Sequence, residues 1–338
     1  MKKKWFSLLL LCILIVTGCQ KEEAESKSVE LVRAKAPAYS DEYITVGFIQ
    51  TGKESDWRDA NTNDFLGTFT EENGYNLIYI DGNSDSDRQI KAMNDLIRQK
   101  VDYIILDPIV ETGWTESLKA AKEAGIPVII SDRMVDADDS LYICWIGSDF
   151  KTEGHNGALW LEEYLAKTGR SNEQINIVIL EGTEGASATI GRSAGLSDEI
   201  QKHENWNVLT CRCGNFTQGE GKTVMEEILK EYKDIDVVIS QNDNMMFGAM
   251  KAMEEAGISY GVDGDVITIS FDALYEAFEL MLEGKLMVSV ECNPLIAGLS
   301  HQVIQCLEAG EAVEKVNYVE ESIFSYENAA TYIEDRKY

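Results

Sequence analysis

The chain is poor in proline and histidine. Among its 338 residues there are four prolines and three histidines, and the histidines His155, His203 and His301 stand far apart. So few prolines and no low-complexity run exclude a fibrous or linker-dominated protein. The histidines fit no zinc or haem spacing, and each is interpreted as an ordinary packed or exposed side chain. We therefore expect neither a metal ion nor a cofactor.

Cysteine is also scarce and is not arranged as a motif. Beyond the first nineteen residues the chain has Cys144, Cys211, Cys213, Cys292 and Cys306. Their spacing matches no metal-binding pattern. We expect them to be buried small hydrophobic side chains, and the sequence leaves open whether any of them form disulfides.

Basic residues are also few relative to acidic ones. Thirty basic residues face fifty-nine acidic ones, for a net charge of −29. Such a surface repels phosphate backbones and argues against nucleic-acid binding, and it disfavours anionic substrates. Neutral or cationic small molecules remain. With 44% hydrophobic and 26% charged residues the composition is that of a folded protein, and its length suits two domains.

The amino terminus is typical of an exported protein. Residues 1–4 carry positive charge, and the apolar stretch 5–16 that follows is too short to span a bilayer. The sequence Val16-Thr17-Gly18-Cys19 resembles a bacterial lipobox, in which cleavage leaves a lipid-bearing Cys19 as the new amino terminus. The alternative is an ordinary signal peptide with a chance cysteine. We predict a signal peptide at 1–18, a flexible tether at 19–43, and attachment to the extracytoplasmic face of the cell membrane by lipid.

The rest of the chain alternates short β-branched runs with amphipathic stretches. Helical periodicity is clear at 88–99 and 222–232. The predicted strands are 44–49, 77–80, 103–106, 127–131, 142–146, 175–180, 207–210, 236–240, 266–270 and 287–290. This alternation predicts an α/β fold with parallel sheets covered on both faces. A polar connection without a helix at 133–141 marks a junction near residue 148, so we predict two doubly wound lobes.

Polar and aromatic side chains follow nearly every predicted strand, where open parallel sheets bind ligands. A single Asp or Asn in such a place is more simply a helix cap. Glutamate, arginine and exposed aromatic residues are not explained in that way. Carboxylates, amides, guanidinium groups and aromatic rings together suit a sugar, whose hydroxyls donate and accept hydrogen bonds and whose C–H faces pack on rings.

These residues carry a resemblance to a known family. The chain resembles the bacterial sugar-binding proteins of ABC importers, and most of all their galactofuranose-binding branch, over residues 44–325. The matching segments include Glu54-Ser55-x-Trp57-Arg58, Thr112-Gly113-Trp114, Asp132-Arg133, Glu181-Gly182-Thr183, Gly214-Asn215-Phe216-Thr217, Asn242-Asp243 and Ser289-Val290-Glu291. The resemblance implies the type I periplasmic-binding-protein fold, with a hinge of three chain crossings near 147–149, 290–293 and 319–323. The lobes would then comprise 44–148 plus 292–320, and 149–291 plus 321–338.

The resemblance also implies a set of ligand-binding residues. Asp132 and Arg133 would bind adjacent hydroxyls from the first lobe, and Arg192 would reach in from the second. Trp57 and Phe216 would stack on opposite faces of the ring, while Asp107 would bind a hydroxyl or orient Arg133. The whole set is Glu54, Trp57, Arg58, Asp107, Asp132, Arg133, Arg192, Phe216, Asn242, Asp272 and Glu291. The chain departs from the branch at Asn215 and Phe271, which leaves the exact sugar open.

The function implied is capture of a monosaccharide, galactofuranose or a related sugar, by hinge closure and its delivery to an ABC permease, with the protein a monomer. One alternative is a sensor that reports to a membrane kinase or chemoreceptor. Another is a glycosidase using two of the carboxylates, although no nucleophile elbow, phosphate loop or HExxH motif is present. A repressor of the same fold is disfavoured by the export signal.

Overall fold

A computed structural model describes residues 32–33 and 43–338. The predicted signal peptide, Cys19 and nearly all of the predicted tether lie outside the described residues. Within that part of the chain, no helix is both long and apolar enough to cross a membrane.

The described residues form thirteen strands and ten α-helices, joined in places by short 3-10 turns. The strands are β1 (Val32–Arg33), β2 (Ile44–Gln50), β3 (Tyr75–Asp81), β4 (Tyr103–Leu106), β5 (Val128–Ser131), β6 (Cys144–Gly147), β7 (Ile175–Glu181), β8 (Trp206–Cys213), β9 (Val237–Ser240), β10 (Ile267–Asp272), β11 (Val288–Glu291), β12 (Val316–Tyr318) and β13 (Ile323–Ser325). The helices are α1 (Asp56–Thr68), α2 (Ser86–Gln99), α3 (Thr115–Glu123), α4 (Phe150–Lys167), α5 (Ser187–Ile200), α6 (Gln218–Glu231), α7 (Asp243–Ala256), α8 (Tyr275–Leu282), α9 (Ala297–Glu308) and α10 (Ala329–Tyr332).

The strands make two separate sheets, in the orders β1-β3-β2-β4-β5-β6-β12 and β13-β11-β10-β9-β7-β8. All pairings are parallel except those of the edge strands β1 and β13. Side chains alternate between the two faces of each strand: Phe48 packs under one layer of helices and Ile49 under the other. Burial on both faces explains the near-continuous apolar runs, and the predicted fold of two parallel-sheet α/β lobes is confirmed.

The chain passes between the sheets three times, through residues 148–149, 292–296 and 319–322. After the first passage the chain enters the second lobe, where Leu161 of α4 packs with Ile177 in the core. The second passage returns it to the first lobe, where Ile296 and Ala297 pack with Phe48. The exact division of the chain into lobes stays a prediction.

The cysteines are not all buried. Cys144 and Cys292 are buried and Cys306 is half-buried, whereas Cys211 and Cys213 are exposed, and no disulfide joins any two of the described cysteines. The expectation of buried side chains was wrong for Cys211 and Cys213 because β8 is the edge strand of its sheet, where one side of the strand has no neighbour.

Helices α4 and α5 approach each other unusually closely through glycines. A Cβ placed on Gly154 would overlap the carbonyl oxygen of Arg192, and one placed on Gly195 would overlap the backbone of Lys151. The absence of side chains at these two positions therefore sets the separation of the two helices.

We expect Gly154→Ala to destabilise the protein by about 1–3 kcal/mol, because the added methyl group must push two packed helices apart. Gly67→Ala is the matched control: Gly67 lies in α1 with nothing within 4 Å of its would-be Cβ, so alanine there should stabilise by about 0.5–1 kcal/mol. Thermal unfolding measures both, and equal melting temperatures for Gly154→Ala and wild type would contradict the packing described.

Candidate functional site

A cleft lies between the lobes, where the carboxyl ends of strands from both sheets face each other. The space between its walls is small: about 280 Å³ lies between the atoms, with the open mouth included, and only about 20 Å³ of it admits the centre of a water molecule. Its lining comes from the first lobe, the second lobe and the crossings: Glu54, Ser55, Trp57, Arg58, Asp132, Arg133, Phe150, Ala188, Arg192, Phe216, Asn242, Asp272 and Cys292. Both sheets therefore supply polar groups to one space, as expected for ligand binding in open parallel α/β sheets.

Helix caps place several of these side chains. Ser55 caps α1, accepting from the backbone N–H of Arg58, so that Trp57 and Arg58 stand on the first turn beside the cleft. Asn242 caps α7 by accepting from Met245 N at 2.9 Å, and it also donates to the carbonyl of Phe216 at 3.0 Å. The simple capping role of Asn242 is thus observed, in addition to its place in the lining.

Arg58 is the centre of the first-lobe half of the site. Its Nε donates to Glu54 Oε1 at 3.0 Å, Nη1 to Asp107 Oδ2 at 2.6 Å, and Nη2 contacts Asp132 Oδ2 at 2.6 Å. Burial alone would lower the pKa of Arg58, but the three carboxylates outweigh it and raise the pKa above its ordinary value. Its guanidinium group is fixed and remains charged.

Asp107 lies behind this network. It is fully buried, and its pKa is raised well above the ordinary value by burial, against the opposing charge of Arg58. One of its oxygens, Oδ1, has no hydrogen-bond partner among the described residues. Asp107 therefore pairs with Arg58 rather than orienting Arg133, and it does not line the cleft.

Arg133 lies beside Arg58 and shares its partner. Its Nη2 pairs with Glu54 and its Nη1 donates to the carbonyl of Ile109 at 3.1 Å, while its guanidinium carbon lies 5.0 Å from the ring centre of Phe216 in the opposite lobe. Only 2% of Arg133 is exposed, yet its Nε finds no hydrogen-bond partner among residues 43–338. A buried donor without a partner is costly, so this N–H is available to a ligand.

Arg192 is the centre of the second-lobe half of the site. It pairs with Glu153 Oε2 at 2.6 Å, contacts Asp272 Oδ1 at 3.5 Å and donates to the carbonyl of Gln241. Burial raises the pKa of Glu153 and raises that of Asp272 well above its ordinary value, in both cases against the charge of Arg192. The second lobe thus repeats the pattern of the first: a buried arginine held by carboxyl groups at the end of a sheet.

Backbone strain concentrates at this cleft. Asp132, Phe216 and Asp272 have positive φ angles of 54°, 60° and 109°, and Asn215 and Ala273 beside them are also positive. Residues other than glycine adopt such angles rarely and at a cost. Three lining positions in this conformation therefore mark the cleft as a functional region.

The lobes are closed on each other. Asn244 donates to Asp56 Oδ2 at 2.6 Å across the cleft, and the indole N–H of Trp57 donates to the carbonyl of Cys292, in the second crossing, at 2.6 Å. On the other side, Met134 N donates to Ser187 Oγ at 2.8 Å. Closure explains why Trp57, although it lines the cleft, is only 4% exposed.

Nine of the eleven proposed site residues line the cleft, and the other two do not. Asp107 lies behind Arg58, as described above. Glu291 turns away from the cleft: it pairs with Arg336, accepts from the hydroxyl of Tyr338 at 2.7 Å and accepts from Ser322 N at 2.9 Å. The other four lining residues, Ser55, Phe150, Ala188 and Cys292, were not in the predicted set. Phe150 follows the first crossing and Cys292 begins the second, where an apolar residue after a strand is indistinguishable from core.

Comparison with known proteins agrees with this geometry. The periplasmic binding protein domain family matches residues 46–298. The galactofuranose-binding protein YtfQ of Escherichia coli is 35% identical over 299 residues, which cover 87% of this chain and 92% of that protein.

Two solved structures share the fold over most of the chain. The arabinose transporter binding component from Shewanella sp. ANA-3, bound to α- and β-L-arabinofuranose, has a TM-score of 0.81 and 36% identity, and the match covers 87% of this chain and 95% of that one. A chain from Mycobacterium smegmatis in complex with β-D-fucofuranose has a TM-score of 0.82 and 38% identity, with 86% and 94% covered. The resemblance seen in the sequence is confirmed, and the chain belongs to the periplasmic binding protein family.

Proposed function

We propose that this protein captures a neutral monosaccharide between its two lobes and delivers it to an ABC import permease. The observation that carries the proposal is that buried arginine–carboxylate groups from both lobes face one closed cleft. Such groups offer fixed donors and acceptors on both sides of a small polar ligand. The relatives named above are binding components, which supports transport over sensing and binding over hydrolysis.

The charges of the cleft support a neutral ligand. Arg58, Arg133 and Arg192 are each already paired with carboxyl groups of the protein, so a phosphate or carboxylate would have to displace those partners. A sugar hydroxyl does not, since it donates to a carboxylate and accepts from a guanidinium N–H at once. The paired carboxylates equally support binding over hydrolysis, because they are engaged as arginine partners.

We further propose that the ligand is a furanose-ring sugar, galactofuranose or a close relative. The support is that YtfQ is named for galactofuranose and that the two structures above contain L-arabinofuranose and D-fucofuranose. Trp57, Phe216 and Phe150 provide aromatic surface on the cleft wall for the C–H faces of such a ring.

The place of action is proposed from the amino terminus. A cleaved leader and a lipid on Cys19 would hold the protein on the extracytoplasmic face of the membrane, next to a permease. Multiple acyl chains would be needed for stable retention, because one chain binds a bilayer only marginally. This anchor, and the monomeric state, stay predictions.

In a thermal-shift panel on the purified protein, neutral monosaccharides are expected to raise the melting temperature. Galactose, L-arabinose and D-fucose are the first sugars to test. Sugar at about 100 times its Kd adds about 2.7 kcal/mol to the free energy of unfolding. Sugar phosphates and nucleotides should give no shift. A panel in which no sugar acts, or in which the phosphates act more strongly, contradicts the proposed ligand class.

Arg133→Lys tests the site itself. Lysine keeps the positive charge beside Glu54 but removes the planar fork and the free Nε–H, a hydrogen bond worth about 1.5–3 kcal/mol. We expect a loss of about tenfold or more in sugar affinity by calorimetric titration, with the ligand-free melting temperature little changed. Arg98→Lys, an exposed arginine of the same lobe, is the matched control and should bind as wild type does. Unchanged binding by Arg133→Lys would remove this residue from the site.

The three crossings meet at Glu321. Its Oε1 accepts from Asn293 N at 3.0 Å and from the hydroxyl of Ser148, so the third crossing is hydrogen-bonded to the other two. Burial, together with the nearby charge of Glu153, raises the pKa of Glu321 from 4.5 to about 9. The neutral carboxyl is therefore favoured in this structure at neutral pH.

The free energy of unfolding should consequently fall as the pH rises. The contribution of Glu321 is fully present below pH 4.5, its ordinary pKa, and is lost as the pH rises through about 9. Thermal unfolding between pH 5.5 and 8.5 should show a steeper decline for wild type than for Glu321→Gln, which stays neutral. The exposed neighbour Glu320 provides the control variant Glu320→Gln, which should follow wild type. Parallel curves for Glu321→Gln and wild type would refute the protonated state.

A further inference from the structure

Away from the cleft, four potential metal ligands meet where α4 and α5 lie side by side. Glu162 and His155 come from α4, Glu199 from the last turn of α5, and His203 from just beyond its end. One ligand-capable atom each of Glu162, Glu199 and His203 lies within 4.8 Å of the other two. His155 Nδ1 lies 2.9 Å from Glu199 Oε2 and so continues the group.

His203 is held in place but has an unused nitrogen. Its ring stacks on Trp206 with the ring centres 4.0 Å apart and 15° between their planes. Its Nε2 is shielded from solvent and has no hydrogen-bond partner among the described residues, and Glu162 Oε1 lies 3.9 Å away. That distance is too long for a hydrogen bond and slightly longer than the separation of two ligands on one tetrahedral metal ion with bonds of about 2.0–2.2 Å.

We propose that Glu162, Glu199 and His203 bind a divalent transition-metal ion, with zinc the best fit. Imidazole together with carboxylate oxygens favours zinc over calcium or magnesium, which prefer all-oxygen sets. His155 acts as a positioning residue that hydrogen-bonds the Glu199 carboxylate. The strongly acidic protein also concentrates cations at its surface.

Lys202 occupies part of the site in this structure. Its Nζ lies 2.6 Å from Glu199 Oε2, so its ammonium group neutralises the carboxylate that the metal would take. The Lys202 side chain is 59% exposed and can turn into solvent, whereas Glu199 is 3% exposed and stays. Metal and Lys202 therefore compete for Glu199. A cluster with only a structural role would show no such competition.

The test is zinc binding by the purified full chain after treatment with a chelator, measured by calorimetric titration with zinc alone. We expect one zinc per chain, and a Kd at least tenfold higher for His203→Ala and for Glu162→Gln. Lys202→Gln should bind zinc more tightly than wild type. Two controls should be unchanged: Glu163→Gln, the exposed neighbour on α4, and His301→Ala, the histidine packed against Phe69 and Tyr75 in the other lobe.

If His203→Ala fails to fold, Glu162→Gln carries the test, because Glu162 is 48% exposed and its loss should not disturb the core. The proposal is overturned if no saturable binding occurs, if Glu162→Gln binds as tightly as wild type, or if Lys202→Gln weakens binding. Sugar binding in the presence of chelator is independent of this site, so each proposal can fail without the other.

Discussion

The interaction on which the site depends is the pairing of buried guanidinium groups with carboxylates. A guanidinium group enclosed between two lobes loses its hydration, and only fixed anionic partners restore the lost energy. Arg58 has three such partners, one for each of its three nitrogens, and Arg133 shares Glu54 with it. The donors are therefore held in position before a ligand arrives, which lowers the cost of binding.

Part of the strain around the cleft falls on carboxylates that contact the arginines, at places where the backbone turns sharply at the end of a strand. Asp132 and Asp272 make this turn with positive φ angles, at the ends of β5 and β10. Because the arginines of each lobe pair with carboxylates of that same lobe, neither half of the site needs the other to be stable. The lobes are then free to open and close, and a ligand gains from bridging them.

Much of the fold could be predicted from the sequence, because buried parallel strands and amphipathic helices leave local patterns. The helix expected at 88–99 is α2, and the one expected at 222–232 lies within α6 apart from its last residue. Most of the lining could be predicted too, since the carboxyl ends of parallel strands meet at one edge. The orientation of Glu291 could not be predicted, because its hydrogen-bond partners are distant in the sequence. Glu291 ends β11 next to Asp272, but Arg336 and Tyr338 return from the far end of the chain and turn its side chain away.

The candidate metal cluster between α4 and α5 could not be predicted from local sequence patterns either. Metal motifs are recognised by ligand spacing within one element or across one turn. Here Glu162 and His203 stand forty-one positions apart, on segments separated by β7 and the whole of α5. Their distance is set by how closely the two helices pack, and that closeness depends on Gly154 and Gly195, which are not ligands. Three lone histidines in a sequence consequently reveal nothing about metal binding until the packing of the helices is known.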